Sequence, residues 1–169
     1  MVKKRPKVGD VFVVPIGDGR AGIGQVVGAY GKDAYYFAIF DLVLPIEEAE
    51  SRLGDALEAP VLFLALSLDA KIHVGHWLVV GSAPVAESIP LPAYKEAVGV
   101  PPRFEVVDYS GNRRRAATEA EAAALPNRKV VAPVRLERAL KAALGLEPWL
   151  EAFDELRVEG LTTTSDAFG

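Results

Sequence analysis

Cysteine is absent from the 169 residues, and histidine occurs twice and methionine once. Without thiols there is no disulfide framework, no thiolate metal site and no cysteine nucleophile. Long apolar runs are missing as well. The longest, "VLFLALSL" over residues 61–68, has the length of a strand and falls well short of a membrane span. The opening "MVKKRPKVGD" is basic but lacks the apolar stretch of a secretory signal, so a cytoplasmic protein without a membrane partner is expected. Nor is there an excess of positive charge. Nineteen Lys and Arg stand against 23 Asp and Glu, a net charge of −4, which disfavours nonspecific nucleic-acid binding. The local basic clusters, residues 3–7 and Arg113–Arg115, read as a solvated arm and a solvated strand end, and neither has interleaved aromatics for base stacking.

Half of the residues are hydrophobic, enough for a sizeable core. The length fits a single α+β domain over residues 1–160, with a candidate subdomain boundary near 87–103 and a flexible tail over 161–169.

In "PIGDGRAGIG", Gly17, Gly19 and Gly22 have the G-x-G-x-x-G spacing of a dinucleotide cradle. That cradle works only when a strand precedes it and a helix opens behind it, because the helix N-terminus holds the phosphate. Upstream, "DVFVV" is a good strand; downstream, "IGQVVGAY" is a poor helix. The glycines therefore read as a hairpin turn at Asp18-Gly19, and no cofactor is expected.

Further strands are expected over 8–15, 22–30 and 34–43, the last nearly apolar throughout and hence buried on both faces. Residues 45–57 read as a helix with Glu47, Glu48 and Glu50 in its first turn, stopped by Pro60. Strands follow over 61–67 and 77–85, separated by a connector at 69–76. Four prolines make residues 87–104 an irregular crossing. Then come a strand–turn–strand around Ser110-Gly111-Asn112, a short helix opened by a Thr118/Glu121 capping box, and a strand over 128–134. Leu136, Leu140, Ala143 and Leu144 share one helix face ended by Gly145, and Trp149 and Phe153 indicate another short helix. The first five strands read as a strongly curved, SH3-like barrel type of sheet ahead of a mixed end, an α+β class.

Candidate chemistry is sparse. His73 and His76, with Asp69, lack a third strong ligand, and no serine or threonine sits in a nucleophile setting. Asp10, Asp41 and Asp108 fall at strand ends with nothing to pair them. Neither a catalytic residue nor a metal site is assigned, and a binding protein is favoured over an enzyme.

Several segments, taken in order over residues 7–146, resemble the immunity protein 26 family. They are "KVGDVFVVPIGDGRAGIGQVVG", "YFAIFDL" with Asp41, "PVLFLALSLDAKIHVGHWLVVGSAPV" with Trp77 and Gly81, and "DYSGNRRRAATEAEAAALPNRKVVAPVRLERAL" with Gly111 to Arg114. The resemblance implies a bacterial cytoplasmic protein that neutralises a cognate toxin domain of a polymorphic toxin system by binding it. It supplies no catalytic residues. Toxins that act on nucleic acids carry basic surfaces, so an acidic partner is steered onto them. That makes Asp41, Glu47, Glu48 and Glu50 the expected contact residues, with Asp55 beside them, although the same charges also suit a solvated helix start. A rim near Arg20 and Trp77 is the other expected contact surface. The opening "KVGDVFVVP" also resembles the first strand of small nucleic-acid-associated barrels, which is the alternative reading; a small-molecule-binding enzyme is a third.

Overall fold

The computed structural model describes residues 5–169, so Lys3 and Lys4 of the basic arm lie outside the described residues. Strands β1 (Asp10–Pro15), β2 (Arg20–Tyr30), β3 (Ala34–Pro45) and β4 (Val61–Leu68) form an antiparallel meander. Strand β5 (Val79–Ser82) adds to the free side of β1. A two-residue strand, numbered β9 for its place in the chain (Val130–Val131), pairs parallel with β4. The order is β5-β1-β2-β3-β4-β9. A second antiparallel sheet runs β6 (Tyr94–Val98), β7 (Arg103–Val107), β8 (Arg114–Ala116).

The α+β class stands, but the barrel does not. The large sheet ends at β5 on one side and β9 on the other, and neither sheet closes or curls strongly. The reason lies in the strands themselves. Eight consecutive residues of β2 and six of β3 are buried, so both faces of the sheet need a cover. A small closed barrel buries one face; a sheet apolar on both faces has to be sandwiched between other layers.

On the first face, Leu136, Ala139 and Leu140 of α4 (Pro133–Ala143) pack with Phe12, Phe37, Ile39 and Phe63 of the sheet. Phe153 and Leu156, from the 3-10 helix Glu151–Leu156, complete that layer. On the second face, Ala49 and Ala56 cover Val11, Val13, Ile23 and Leu44. Farther along the same face, Tyr94 and the crossing residues Ile89 and Leu91 cover Val27, Tyr36, Ala38 and Phe40.

Local differences from the sequence reading have local causes. The helix expected over 45–57 is split into a 3-10 turn, Ile46–Glu48, and α1, Leu53–Glu58. Ser51 donates its hydroxyl back to the Glu48 carbonyl (3.1 Å), a side-chain bond that competes with continuous helix. The strand expected over 77–85 is confined to β5. Ahead of it, the connector contains the short helix α2 (Ala70–His73), and the Trp77 amide donates to the Lys71 carbonyl at 3.0 Å. The irregular crossing contains β6 between its pairs of prolines. The strand expected over 128–134 shrinks to β9 because Pro133 already occupies the first turn of α4.

Arg128 joins the second sheet to the first. Its guanidinium lies 3.9 Å from the Tyr30 ring centroid and 4.8 Å from that of Tyr94. It also donates to Glu96 (3.2 Å) and to the Asp108 carbonyl (2.8 Å). The Arg113–Arg115 run is not simply solvated. Arg114 bridges Glu96 and Glu105, each at 3.0 Å, and Arg113 lies over the Phe168 ring. The segment expected to be a flexible tail contains the helical turn α5 (Thr164–Phe168), where Thr164 donates to the carbonyls of Leu91 (2.8 Å) and Pro92 (2.9 Å).

The Thr118/Glu121 capping box is present at the start of α3 (Glu119–Ala124). Arg115 donates twice to the same Glu121 carboxylate, which lowers its pKa from 4.5 to about 2. A carboxyl whose folded pKa is depressed stabilises above its unfolded pKa and loses that contribution as pH falls toward the folded one. Urea titrations should therefore show a loss of stability between pH 4.5 and about 2 that shrinks in Glu121→Gln. An identical acid limb in the variant would show that the pair contributes nothing.

Candidate functional site

The second face of the large sheet is not evenly covered. Between the layer built on α1 and the layer built on the second sheet lies an open cleft of about 570 Å³. Gln25 of β2 and Phe40 of β3 form its floor. Residues 57–61, the turn from α1 into β4, make one wall; Pro84, Ala86, Ser88, Ile89 and Pro90 make the other. Val158 and Glu159 close one end.

The floor follows from strand alternation. On β2, Ala21, Ile23, Gln25 and Val27 alternate with Gly22, Gly24 and Val26. The first set faces the second layer, so Gln25 is a polar residue at a core position, only 1% exposed. Its Nε2 donates to the carbonyls of Ala83 (3.0 Å) and Gly9 (3.4 Å). Two carbonyl acceptors require the amide NH2 on that side and leave Oε1 as the acceptor on the other. Among the described residues no donor bonds Oε1, and that oxygen keeps contact with solvent in the open cleft.

The rim carries carboxylates. Glu58 and Glu159 line the cleft and are exposed. Asp41, also exposed, does not line the cleft: it lies in a bulge of β3 and its amide donates to the Pro60 carbonyl at 2.8 Å, but Phe40 and Leu42 on either side of it both pack on the second face, so alternation turns its side chain to the first. Among the described residues none of the three has a cationic partner within ion-pair distance.

The expected contact residues separate into groups. Glu47, Glu48 and Glu50 are exposed on the segment that leads into α1. Arg20 lies near the start of that segment, because it pairs with Pro45 and the Ile46 amide donates to the Gly19 carbonyl (3.0 Å). Its charge is already engaged: Arg20 donates to Asp18 from Nε (3.0 Å) and Nη2 (2.6 Å), and this bond holds the Asp18 carboxyl below its usual pKa. Trp77 does not belong with them. It is fully buried, stacked on Phe12 at 5.2 Å, with its indole N–H donating to Glu137 at 3.2 Å. It packs the first face of the sheet and presents nothing to a partner.

Sequence reasoning missed Gln25, Glu58 and Glu159. A signal for Gln25 was present: it interrupts the apolar side of the "AGIGQVVG" alternation. Glu159 reaches the cleft through tertiary folding alone. His73 and His76 are both exposed, on and just after α2, and among the described residues no cluster of three or more His, Cys, Asp or Glu is placed to hold a metal. The third glycine of the G-x-G-x-x-G spacing lies inside β2, so the motif opens a strand and not a helix. Arg20, on the far side of its turn, closes the hairpin by accepting from the Ile16 amide (3.1 Å). No helix of the described residues is long and apolar enough to cross a membrane.

Comparison with known proteins places this architecture. The family described as immunity protein 26 matches residues 7–105, a span from just before β1 into β7 that holds all of the cleft except Val158 and Glu159. The match stops short of the arginine run and α4, which the sequence resemblance over 7–146 had included. No curated protein and no solved structure matches the chain. More than half of the 169 residues fall within the family match, and the chain belongs to the immunity protein 26 family.

Proposed function

We propose that this protein is an immunity protein that binds a cognate bacterial toxin domain one to one and neutralises it by covering its working surface, with no catalysis of its own. The family match over residues 7–105 carries this reading. Exposed carboxylates without cationic partners support the mode of binding, since such charges steer a basic partner and are free to pair with it. Asp41, Glu47, Glu48 and Glu50 are the proposed contact residues, with Arg20 at the edge of that surface. The alternative of a small nucleic-acid-associated barrel loses its footing because the large sheet is open.

Reversing Glu47, Glu48 and Glu50 together to lysine should leave the fold intact, because all three are exposed. Association with the cognate toxin domain should slow by about tenfold or more at low salt. The difference should shrink as ionic strength rises through roughly 0.15 M, where the Debye length falls to about 8 Å. An unchanged association rate, measured by stopped-flow, would move the interface off this segment.

A further inference from the structure

We infer that the cleft over Gln25 is the receptor for an arginine side chain presented by the bound partner, an assignment that rests on the immunity reading above and specifies its central contact. The cleft combines an apolar throat with unmatched acceptors. Leu57, Val61 and Ile89 supply apolar walls above the Phe40 floor, and Pro60, Pro84 and Pro90 supply flat, rigid ones. Glu58 and Glu159 stand at the rim, and at the floor Gln25 has an acceptor oxygen that no described donor bonds.

That pattern selects among occupants. A carboxylate or phosphate would meet like charge at the rim and an acceptor at the floor. A purely apolar side chain would fill the throat but leave Oε1 of Gln25 desolvated without a partner, which costs more than the hydrogen bond it replaces. Lysine offers a compact, strongly hydrated ammonium. Arginine fits each layer: its methylene stem lies along apolar walls, its weakly hydrated planar face stacks on flat surfaces, and its five donors reach both carboxylates and an amide oxygen. The volume of about 570 Å³ falls among ligand pockets of roughly 300–1,000 Å³, which leaves room for backbone on either side of the arginine. Gln25 is pre-organised for the task, since its bonds to Gly9 and Ala83 hold the amide before any partner arrives.

The test uses the full chain and the blocked tripeptide acetyl-Gly-Arg-Gly-amide, with the citrulline and leucine tripeptides as uncharged controls. Followed by 15N NMR, the Gln25 side-chain amide should shift saturably with the arginine peptide. Citrulline, which keeps the shape without the charge, should bind at least about tenfold more weakly, as should the arginine peptide to the Glu58→Gln/Glu159→Gln variant. Gln25→Leu should abolish the shift of the lining methyl groups of Leu57 and Ile89. The surface double variant keeps the test valid if Gln25→Leu fails to fold. No saturable shift, equal binding of citrulline or leucine, or equal binding by the double variant would overturn the assignment. Protection against the toxin separates the two claims. Protection without arginine binding removes the cleft assignment and leaves the immunity reading, whereas arginine binding without protection overturns the immunity reading and with it the toxin as the source of the arginine.

Discussion

Trp77→Ala should cost about 3–5 kcal/mol of stability, the range for removing a fully buried tryptophan. At this chain length that corresponds to a fall in melting temperature of roughly 6–20 °C. The indole is completely enclosed, stacked on Phe12 at 5.2 Å and set edge-on to Phe37 at 5.8 Å. Deleting it opens a cavity between the sheet and α4, and the aromatic neighbours cannot close it without giving up their own contacts. It also removes the bond from Nε1 to Glu137, which then keeps only Lys71, at 3.6 Å. Trp77→Phe should retain much of the packing but lose that bond, and so cost less. Thermal and urea melts decide the matter. A Trp77→Ala protein with unchanged stability and weakened partner binding would return the residue to the interface.

Gly24→Ala should destabilise by about 1–3 kcal/mol through overpacking. A methyl group at Gly24 would stand 2.5 and 2.6 Å from two ring atoms of Phe12 and 3.0 Å from the Ile39 side chain. The Phe12 ring cannot swing away, because it is clamped between Trp77 and Phe37. Gly19→Ala provides the contrast. Its φ of +82° disfavours a side chain, but nothing lies within 4 Å, so it should cost only about 1 kcal/mol through backbone strain. Equal losses at the two positions would mean that the close approach of Phe12 to β2 is not what requires a glycine there.

These two glycines show how much was legible in the sequence. The hairpin could be read because Asp18-Gly19 is turn chemistry, and turn chemistry is local. The capping box at Thr118 and the buried Leu136 and Leu140 of α4 could be read for the same reason, since spacing of three and four residues is visible along a chain. Ala143 and Leu144, expected on the same face, are exposed, and Ala139 is buried in their place. Gly22 and Gly24 could not be interpreted, because their purpose is set by Leu140 and Phe12 across the layer. The open sheet was misread as a barrel from strand count and short turns. The apolar run in β3 already pointed to two buried faces, but which elements cover them depends on α1, the second sheet and α4. Asp41 was visible as a charge ending an apolar run, but it lies outside the cleft. The cleft itself was not visible, because its walls come from three distant parts of the chain.

Neutralisation by stoichiometric binding is tested most directly by co-producing this protein with its cognate toxin domain. Cells producing both should survive, the two purified proteins should form a one-to-one complex, and toxin activity should fall linearly to zero at equimolar protein. Cell death despite folded protein, or protection at far below equimolar amounts through destruction of the toxin or its product, would contradict neutralisation by binding.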